Sequence, residues 1–260
     1  MTAAEREHLD GRRQRWLVLG LLLLGPMLVV AGLAAGSEGW SLPGLWRELH
    51  GDDAGLIIGQ IRAPRTLGAW LAGAMFGLAG ALAQGLFRNP LADPYLLGSA
   101  SGATLGVVLI LSVGALTGHQ LSLATADALS RVGLVVAAFV GALGGVSLTL
   151  VLARGAQQTI RLLLAGVVVG VVLGAVSDMI TTIAPDALSG KQAFLLGSTG
   201  FLGWESCVVL GFGMLTALPL AWRLSRALDA LTLGEDSAIS LGIRLGRVRV
   251  LLVLALALAT

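Results

Sequence analysis

Charge is scarce in this chain. Of its 260 residues, 12% are charged and 56% are hydrophobic, whereas soluble domains carry about 25% charged residues. With a mean hydropathy of +0.87, a soluble globular domain is excluded. Cysteine occurs once, as Cys207, so neither an internal disulfide nor a cysteine metal site can form. It reads as a small apolar packing residue. Lysine also occurs once, as Lys191. A phosphate-binding loop requires glycine, four residues, then Gly-Lys-Ser/Thr. Here Lys191 is followed by Gln192, and position 185 is proline, so this sequence contains no such loop. The three histidines, His8, His50 and His119, fall in polar segments without ligand spacing. No Ser/His, Asp/Asp or His/Glu cluster lies inside an apolar run, so neither catalysis nor a bound cofactor is expected. A pI near 9.3 at a net charge of +2 gives no nucleic-acid signal, because the basic residues sit in short loops.

What the chain does have is apolar runs of membrane length. Trp16 to Ala35, Thr66 to Phe87, Leu96 to Leu116, Val132 to Ala153, Leu162 to Ile183 and Trp204 to Trp222 each hold about 20 residues, enough to cross a hydrocarbon core. The first is too long for the apolar core of a cleaved signal peptide, about 7–15 residues. The fold class is therefore all-α, a polytopic membrane helix bundle of about six complete spans and the start of a seventh from Val250. Residues 1–15 form a polar amino-terminal tail and residues 223–249 a polar segment between the last two spans, within one transmembrane domain over 1–260. Ser37 to Ile61, Thr117 to Arg131 and Pro185 to Leu196 read as loops, with Trp40 and Trp46 at headgroup level.

Arginine placement orients the bundle. Arg6, Arg12, Arg13, Arg15, Arg88, Arg154, Arg161, Arg223, Arg226, Arg244, Arg247 and Arg249 fall on one side, against Arg47, Arg62, Arg65, Arg131 and Lys191 on the other. By the positive-inside rule, the amino terminus and the 223–249 segment are cytoplasmic.

Small residues recur at four-residue spacing, the pattern that lets membrane helices approach closely. Ala69, Gly73, Gly77, Ala81 and Gly85 mark the second run. Gly98, Gly102 and Gly106 mark the third; Ala137, Gly141, Gly145 and Thr149 the fourth; Gly166, Gly170 and Gly174 the fifth. Between the second and third runs, Arg88-Asn89-Pro90 ends one helix. Asp93-Pro94 starts the next, with aspartate at the N-cap and proline at the first helical position.

These residues also carry a resemblance. Arg62-x-x-Arg65, Gly80-Ala81-x-x-Gln84-Gly85, Arg88-Asn89-Pro90-Leu91-Ala92-Asp93-Pro94 and Leu97-Gly98-x-x-Ser101-Gly102-Ala103 are similar to the signature of the FecCD/BtuC family. Its members are permease subunits of bacterial ABC importers for ferric siderophores, haem and vitamin B12. The resemblance implies a fold of about ten helices, of which this chain spans the first part. A helix from Arg247 to Thr260 would rise only ~21 Å, so the chain is expected to be a truncated permease.

The resemblance further implies partners and sites. Two separate ATPase subunits, a periplasmic substrate-binding protein, a second permease copy and membrane lipid are expected, in the bacterial inner membrane. Leu233, Gly234, Glu235, Asp236, Ser237, Ile239, Leu241 and Gly242 match the family's coupling helix, which docks on the ATPase. Arg62 and Arg65 are candidates for docking the binding protein, since charge pairs guide encounter and fix register. Leu163, Gly166, Val167, Gly170 and Gly174 would line a smooth pathway wall, with Gln157, Gln158 and Thr159 near its cytoplasmic gate. Gln84, Arg88, Asn89, Pro90, Asp93 and Pro94 form the signature turn. The cargo implied is an iron-siderophore complex, with haem or cobalamin as alternatives.

Asp178, an ionisable residue within a span, raises a secondary transporter as the competing class. It lies about one turn from the end of its span, and a satisfied interfacial aspartate is the favoured reading. A nonfunctional truncated fragment is the remaining alternative.

Overall fold

The computed structural model describes residues 3–36, 39–51, 54–116, 128–154 and 158–260; the side chains of 3–11, 14, 54, 128–131, 201 and 235 lie outside this description. Helices α1 (Ala3–Ala34), α2 (Leu42–Leu49), α3 (Ala54–Leu56), α4 (Ala63–Phe87), α5 (Ser99–Leu116), α6 (Ala128–Leu152), α7 (Thr159–Ile183), α8 (Asp186–Leu196), α9 (Trp204–Thr232), α10 (Glu235–Ser240) and α11 (Leu245–Ala259) succeed one another along the chain. Two-residue strands β1 (Ala35–Gly36) and β2 (Gly39–Trp40) pair antiparallel, Ala35 opposite Trp40. Among the described residues, six helical stretches are long and apolar enough to cross a bilayer: 15–34, 57–87, 99–116, 132–152, 159–183 and 204–232. The expected six spans are all there.

The chain divides into two compact units, Met1–Trp70 with Leu202–Cys207, and Leu71–Phe201 with Val208–Thr260. In the first, the stretch read as a loop from Ser37 to Ile61 is largely helical. Ser41 caps α2 by accepting a hydrogen bond from the Gly44 amide at 3.0 Å. Pro43, in the first turn, has no amide to leave unsatisfied there. Leu45 then packs with Ala34 and Ile58. Beyond α3 the chain enters a π-helical segment, Ile57–Arg62, that runs directly into α4. The second span therefore begins about nine residues before the sequence pattern suggested, since π geometry interrupts the 3.6-residue period without ending the helix.

The second unit is built on close helix contacts. The stripes of α5 and α6 face each other. A Cβ placed on Gly102 would lie 2.2 Å from the Gly141 carbonyl oxygen, and one on Gly141 the same distance from the Gly102 oxygen. Gly106 meets the Ala137 carbonyl, and Gly145 the Gly98 carbonyl, in the same way. At the end of this seam the Thr149 hydroxyl donates to the Leu97 carbonyl at 2.9 Å. This satisfies a backbone acceptor that low-dielectric surroundings would otherwise leave costly.

Three further expectations are corrected in this unit. Asp93 does cap, accepting from the Tyr95 amide at 2.6 Å. The element it caps is a 3-10 turn, Pro94–Leu97, closed by Gly98 at φ +78°, so the helix itself starts at Ser99. Pro185 to Leu196 contains helix α8, because its apolar side packs: Ala187 and Phe194 join Val107, Leu111 and Leu134. Helix α11, short as it is, packs into the core. Leu252, Val253, Ala255, Leu256, Ala257 and Ala259 are all buried. A helix apolar on every side belongs in a core, and its alternating alanines let neighbours approach. Arg249, counted among the loop arginines, lies on this helix and is 2% exposed.

Candidate transport and coupling site

The signature turn is a backbone device. Arg88 adopts φ +50°, and the Asn89 amide reaches back to the Gln84 carbonyl at 3.1 Å. That is the six-to-one bond of a Schellman ending, with arginine in the left-handed position usually taken by glycine. Pro90 comes two residues later and continues the break that Arg88 has already made. The Asn89 side-chain oxygen accepts from the Leu91 amide at 3.0 Å, and the Ala92 amide donates to the Asn89 carbonyl at 3.0 Å. Pro94 is buried. Gln84, by contrast, contributes its carbonyl, and its side chain is exposed. Burial, and to a lesser degree the Asp93 carboxylate, push the Tyr95 phenol above its ordinary value of 10.0.

Behind the turn lies α7. Gly166 is buried, and a Cβ there would stand 2.0 Å from the Leu96 carbonyl oxygen. Its hydrogen side chain therefore lets α7 press onto the 3-10 turn. Gly170 and Leu163 are half-buried, while Val167 is 47% exposed and Gly174 has open space before it. Leu164, Val167, Val171 and Gly174 mark a face of α7 that no described residue covers. Gln158 occupies the N-cap of α7 without a side-chain capping bond, and Thr159 starts the helix. Gln157 lies outside the described residues.

At the other end of α7, Asp178 accepts an ion-pair hydrogen bond from Lys191 of α8. The lysine side chain is 10% exposed and the carboxylate 75%. The single intramembrane acid of α7 is thus satisfied by the only lysine, a pairing invisible to sequence because Lys191 was assigned to a loop.

Helix α10 is a six-residue knob. Gly234 at φ +106° stands before it and Gly242 at φ +81° after it, left-handed conformations that a Cβ disfavours. At its end the Gly242 amide bonds the Ile239 carbonyl at 2.9 Å and the Ile243 amide bonds the Ala238 carbonyl at 3.1 Å. This is a complete Schellman motif. Ala238 is fully buried and holds the knob to its unit, whereas Leu233, Ile239 and Leu241 are 70%, 57% and 65% exposed. Asp236 and Ser237 are exposed as well. Ile239 on this short helix, with Leu233 before it and Leu241 at its end, leaves an apolar surface that no described residue covers.

The paired arginines separate. Arg62 donates from Nη1 to the Leu33 carbonyl at 3.0 Å and from Nη2 to Glu48 Oε1 at 2.8 Å. Its side chain is 14% exposed, so it ties α1, α2 and the π segment together. Arg65, one turn on, is exposed. In the same unit the Trp204 indole donates to the Gly59 carbonyl at 2.9 Å and the Cys207 thiol to the Pro64 carbonyl at 3.2 Å. Cys207 is buried, as its reading as a packing residue requires.

Residues 21–260 match the FecCD transport family. The chain belongs to this family. It is 37% identical over 254 residues to the vitamin B12 import system permease protein BtuC of Klebsiella pneumoniae, covering 95% of this chain and 70% of that protein. It is 38% identical over 200 residues to the ferric enterobactin transport system permease protein FepD of Escherichia coli strain K12, covering 77% of this chain and 57% of that one. Among solved structures, a chain from a metal-chelate type ABC transporter in an inward-facing conformation superposes with a TM-score of 0.74 at 26% identity. The superposition covers 94% of this chain and 72% of that one. The fold is thus that of an ABC permease, an all-α polytopic bundle, and the matched range includes the hairpin, α7 and α10.

Within this FecCD chain, two features had no usable sequence signal. The π segment lacks a composition of its own. The Thr149–Leu97 bond joins residues 52 apart, although the stripe containing Thr149 did mark the face that makes it.

Proposed function

We propose that the chain is the membrane-spanning permease subunit of an ATP-driven importer for a bulky metal chelate, an iron-siderophore complex or a corrinoid. The observation that carries this is α10: a glycine-bracketed knob with Leu233, Ile239 and Leu241 exposed, in a chain that lacks a phosphate loop and needs an external engine. The relatives named for vitamin B12 and ferric enterobactin import support the cargo class. Burying the exposed parts of these three side chains in a cleft on the ATPase contributes about 3–6 kcal/mol. The amino terminus and α10 face the cytoplasm, in keeping with the arginine distribution.

Two permease copies enclose the pathway, with Val167, Gly170, Gly174 and Leu163 of α7 toward it and Gln157, Gln158 and Thr159 at the gate. Gly166 serves instead to seat α7 on the signature turn. ATP binding draws two ATPase subunits together, and α10 passes this to the bundle; each state requires its own contacts with the engine. Of the two arginines, Arg65 is the one with its side chain available to the periplasmic binding protein. A secondary transporter finds no support in Asp178, whose charge is already matched by Lys191.

The test is co-purification. Leu241→Asp or Ile239→Asp is expected to weaken ATPase association roughly tenfold or more, while the change Gly144→Ala on α6 leaves it intact. Retention of the ATPase by both aspartate variants would remove α10 from the interface.

A further inference from the structure

Helix α2 has a face that no described residue covers. It lies outside the six candidate spans, between the stretch ending at Ala34 and the one starting at Ile57. At 3.6 residues per turn its side chains fall into three sectors. The inner sector holds Leu45, which packs with Ala34 and Ile58, and Glu48, which pairs with Arg62. Next to it, Leu42, Trp46 and Leu49 share a sector roughly 60° wide and are 46%, 67% and 50% exposed. Beyond them Arg47 and His50 form a third, polar and exposed sector.

That order is what a helix lying flat on a bilayer needs. One side rests on the protein, the adjoining side is apolar, and the far side carries a cation that can meet phosphate. Trp46 fits, since tryptophan concentrates at membrane–water interfaces, and Trp40 beside it is 62% exposed. The mounting fixes the level. Arg62 bonds both the last turn of α1, at the Leu33 carbonyl, and Glu48 of α2. Helix α2 is therefore held where the apolar stretches of two spans begin and end.

We propose that Leu42, Trp46 and Leu49 bind the headgroup–acyl boundary of the bilayer, making α2 an interfacial anchor that sets the depth of the π segment and α4. Which leaflet it occupies rests on the orientation set by the arginines; the contact itself does not, and it would persist if ATPase association failed.

The experiment places single spin-labelled cysteines at Leu42, Trp46, Leu49, Arg47 and His50 in a Cys207→Ala background. The chain is reconstituted in vesicles of phosphatidylcholine and phosphatidylglycerol. Labels at 42, 46 and 49 should collide more with dissolved oxygen than with a water-soluble nickel chelate, at a depth of roughly 5–10 Å; labels at 47 and 50 should show the reverse. As a second measurement that leaves the helix intact, Trp46→Phe should remove part of the tryptophan emission quenched by brominated lipid. Nickel access at all five positions, shielding of 42, 46 and 49 from both reagents (a covering protein), or an unchanged quenched fraction in Trp46→Phe would each overturn the proposal.

Discussion

Replacing Gly141 by alanine should separate two helices that now touch backbone to backbone. The added methyl carbon would sit 2.2 Å from the Gly102 carbonyl oxygen, 3.0 Å from its carbon and 3.2 Å from the Gly106 Cα. The tightest carbon–oxygen contacts are ~3.3 Å, so α5 and α6 must move apart by roughly 1.1 Å. Because every obstructing atom is backbone, no rotamer change relieves the clash. Gaps of that order forfeit a quarter to a half of each dispersion contact along the seam. The cost therefore lies near the upper end for overpacking, about 3 kcal/mol. For a chain of this size each kcal/mol lowers the unfolding midpoint by about 2–4 °C, giving a fall of about 6–12 °C. The control lies on the same helix. Gly144 is exposed and has open space where a Cβ would go, so Gly144→Ala should be neutral or raise the midpoint, through alanine's ~1 kcal/mol helix preference. Thermal unfolding of the two variants in detergent, monitored by intrinsic fluorescence, makes the comparison. Equal midpoints would refute the glycine seam.

The remaining expectations concern the turn and the arginines. Tyr95 is the only tyrosine, so phenolate absorbance reports on the signature turn alone. Its folded pKa is raised above the ordinary 10.0 by burial first and Asp93 second. The folded chain thus holds this proton longer than the unfolded one, and the resulting stability is complete below pH 10.0 and lost as pH rises through the folded value. Asp93→Asn should bring the titration partway back, and a titration at the free-tyrosine position in the native protein would contradict the partial burial of this phenol. Arg62→Ala should lower stability by about 1–3 kcal/mol, because the Leu33 carbonyl and Glu48 lose a charged donor. Arg65→Ala should leave unfolding unchanged and weaken only binding-protein association. Equal thermal effects of the two would show that Arg62 is not the tie described.

How far the sequence could be read depended on whether a feature repeats locally. The glycine and alanine stripes of α5 and α6 are periodic and meet in the structure, because close approach needs small residues at every turn. Asp93-Pro94 correctly marked a cap, but Gly98 closing a 3-10 turn before the helix was not visible, since glycine in an apolar run suits either packing or a left-handed turn. Gly166 sits in a stripe whose spacing marked close approach, but its neighbour is the Leu96 carbonyl, a backbone atom no residue pattern announces. The Arg62–Glu48 and Asp178–Lys191 pairs join residues whose intervening segments were read as loops. Their partners emerged only once α2 and α8 were in place, and with them the distinction between Arg62 and Arg65. The knob at α10 was legible because glycine brackets, acids and exposed apolar residues are compressed into ten positions.

The measurement closest to the central claim is uptake of a radiolabelled ferric siderophore or cobalamin into vesicles containing the permease, its ATPase and its binding protein, with ATP supplied on the ATPase side. Uptake should require ATP, persist when the ion gradient is collapsed, and disappear in Leu241→Asp although the variant inserts normally. Uptake that tracks the ion gradient without ATP, or that survives Leu241→Asp and Ile239→Asp together, would contradict an ATP-driven permease coupled through α10.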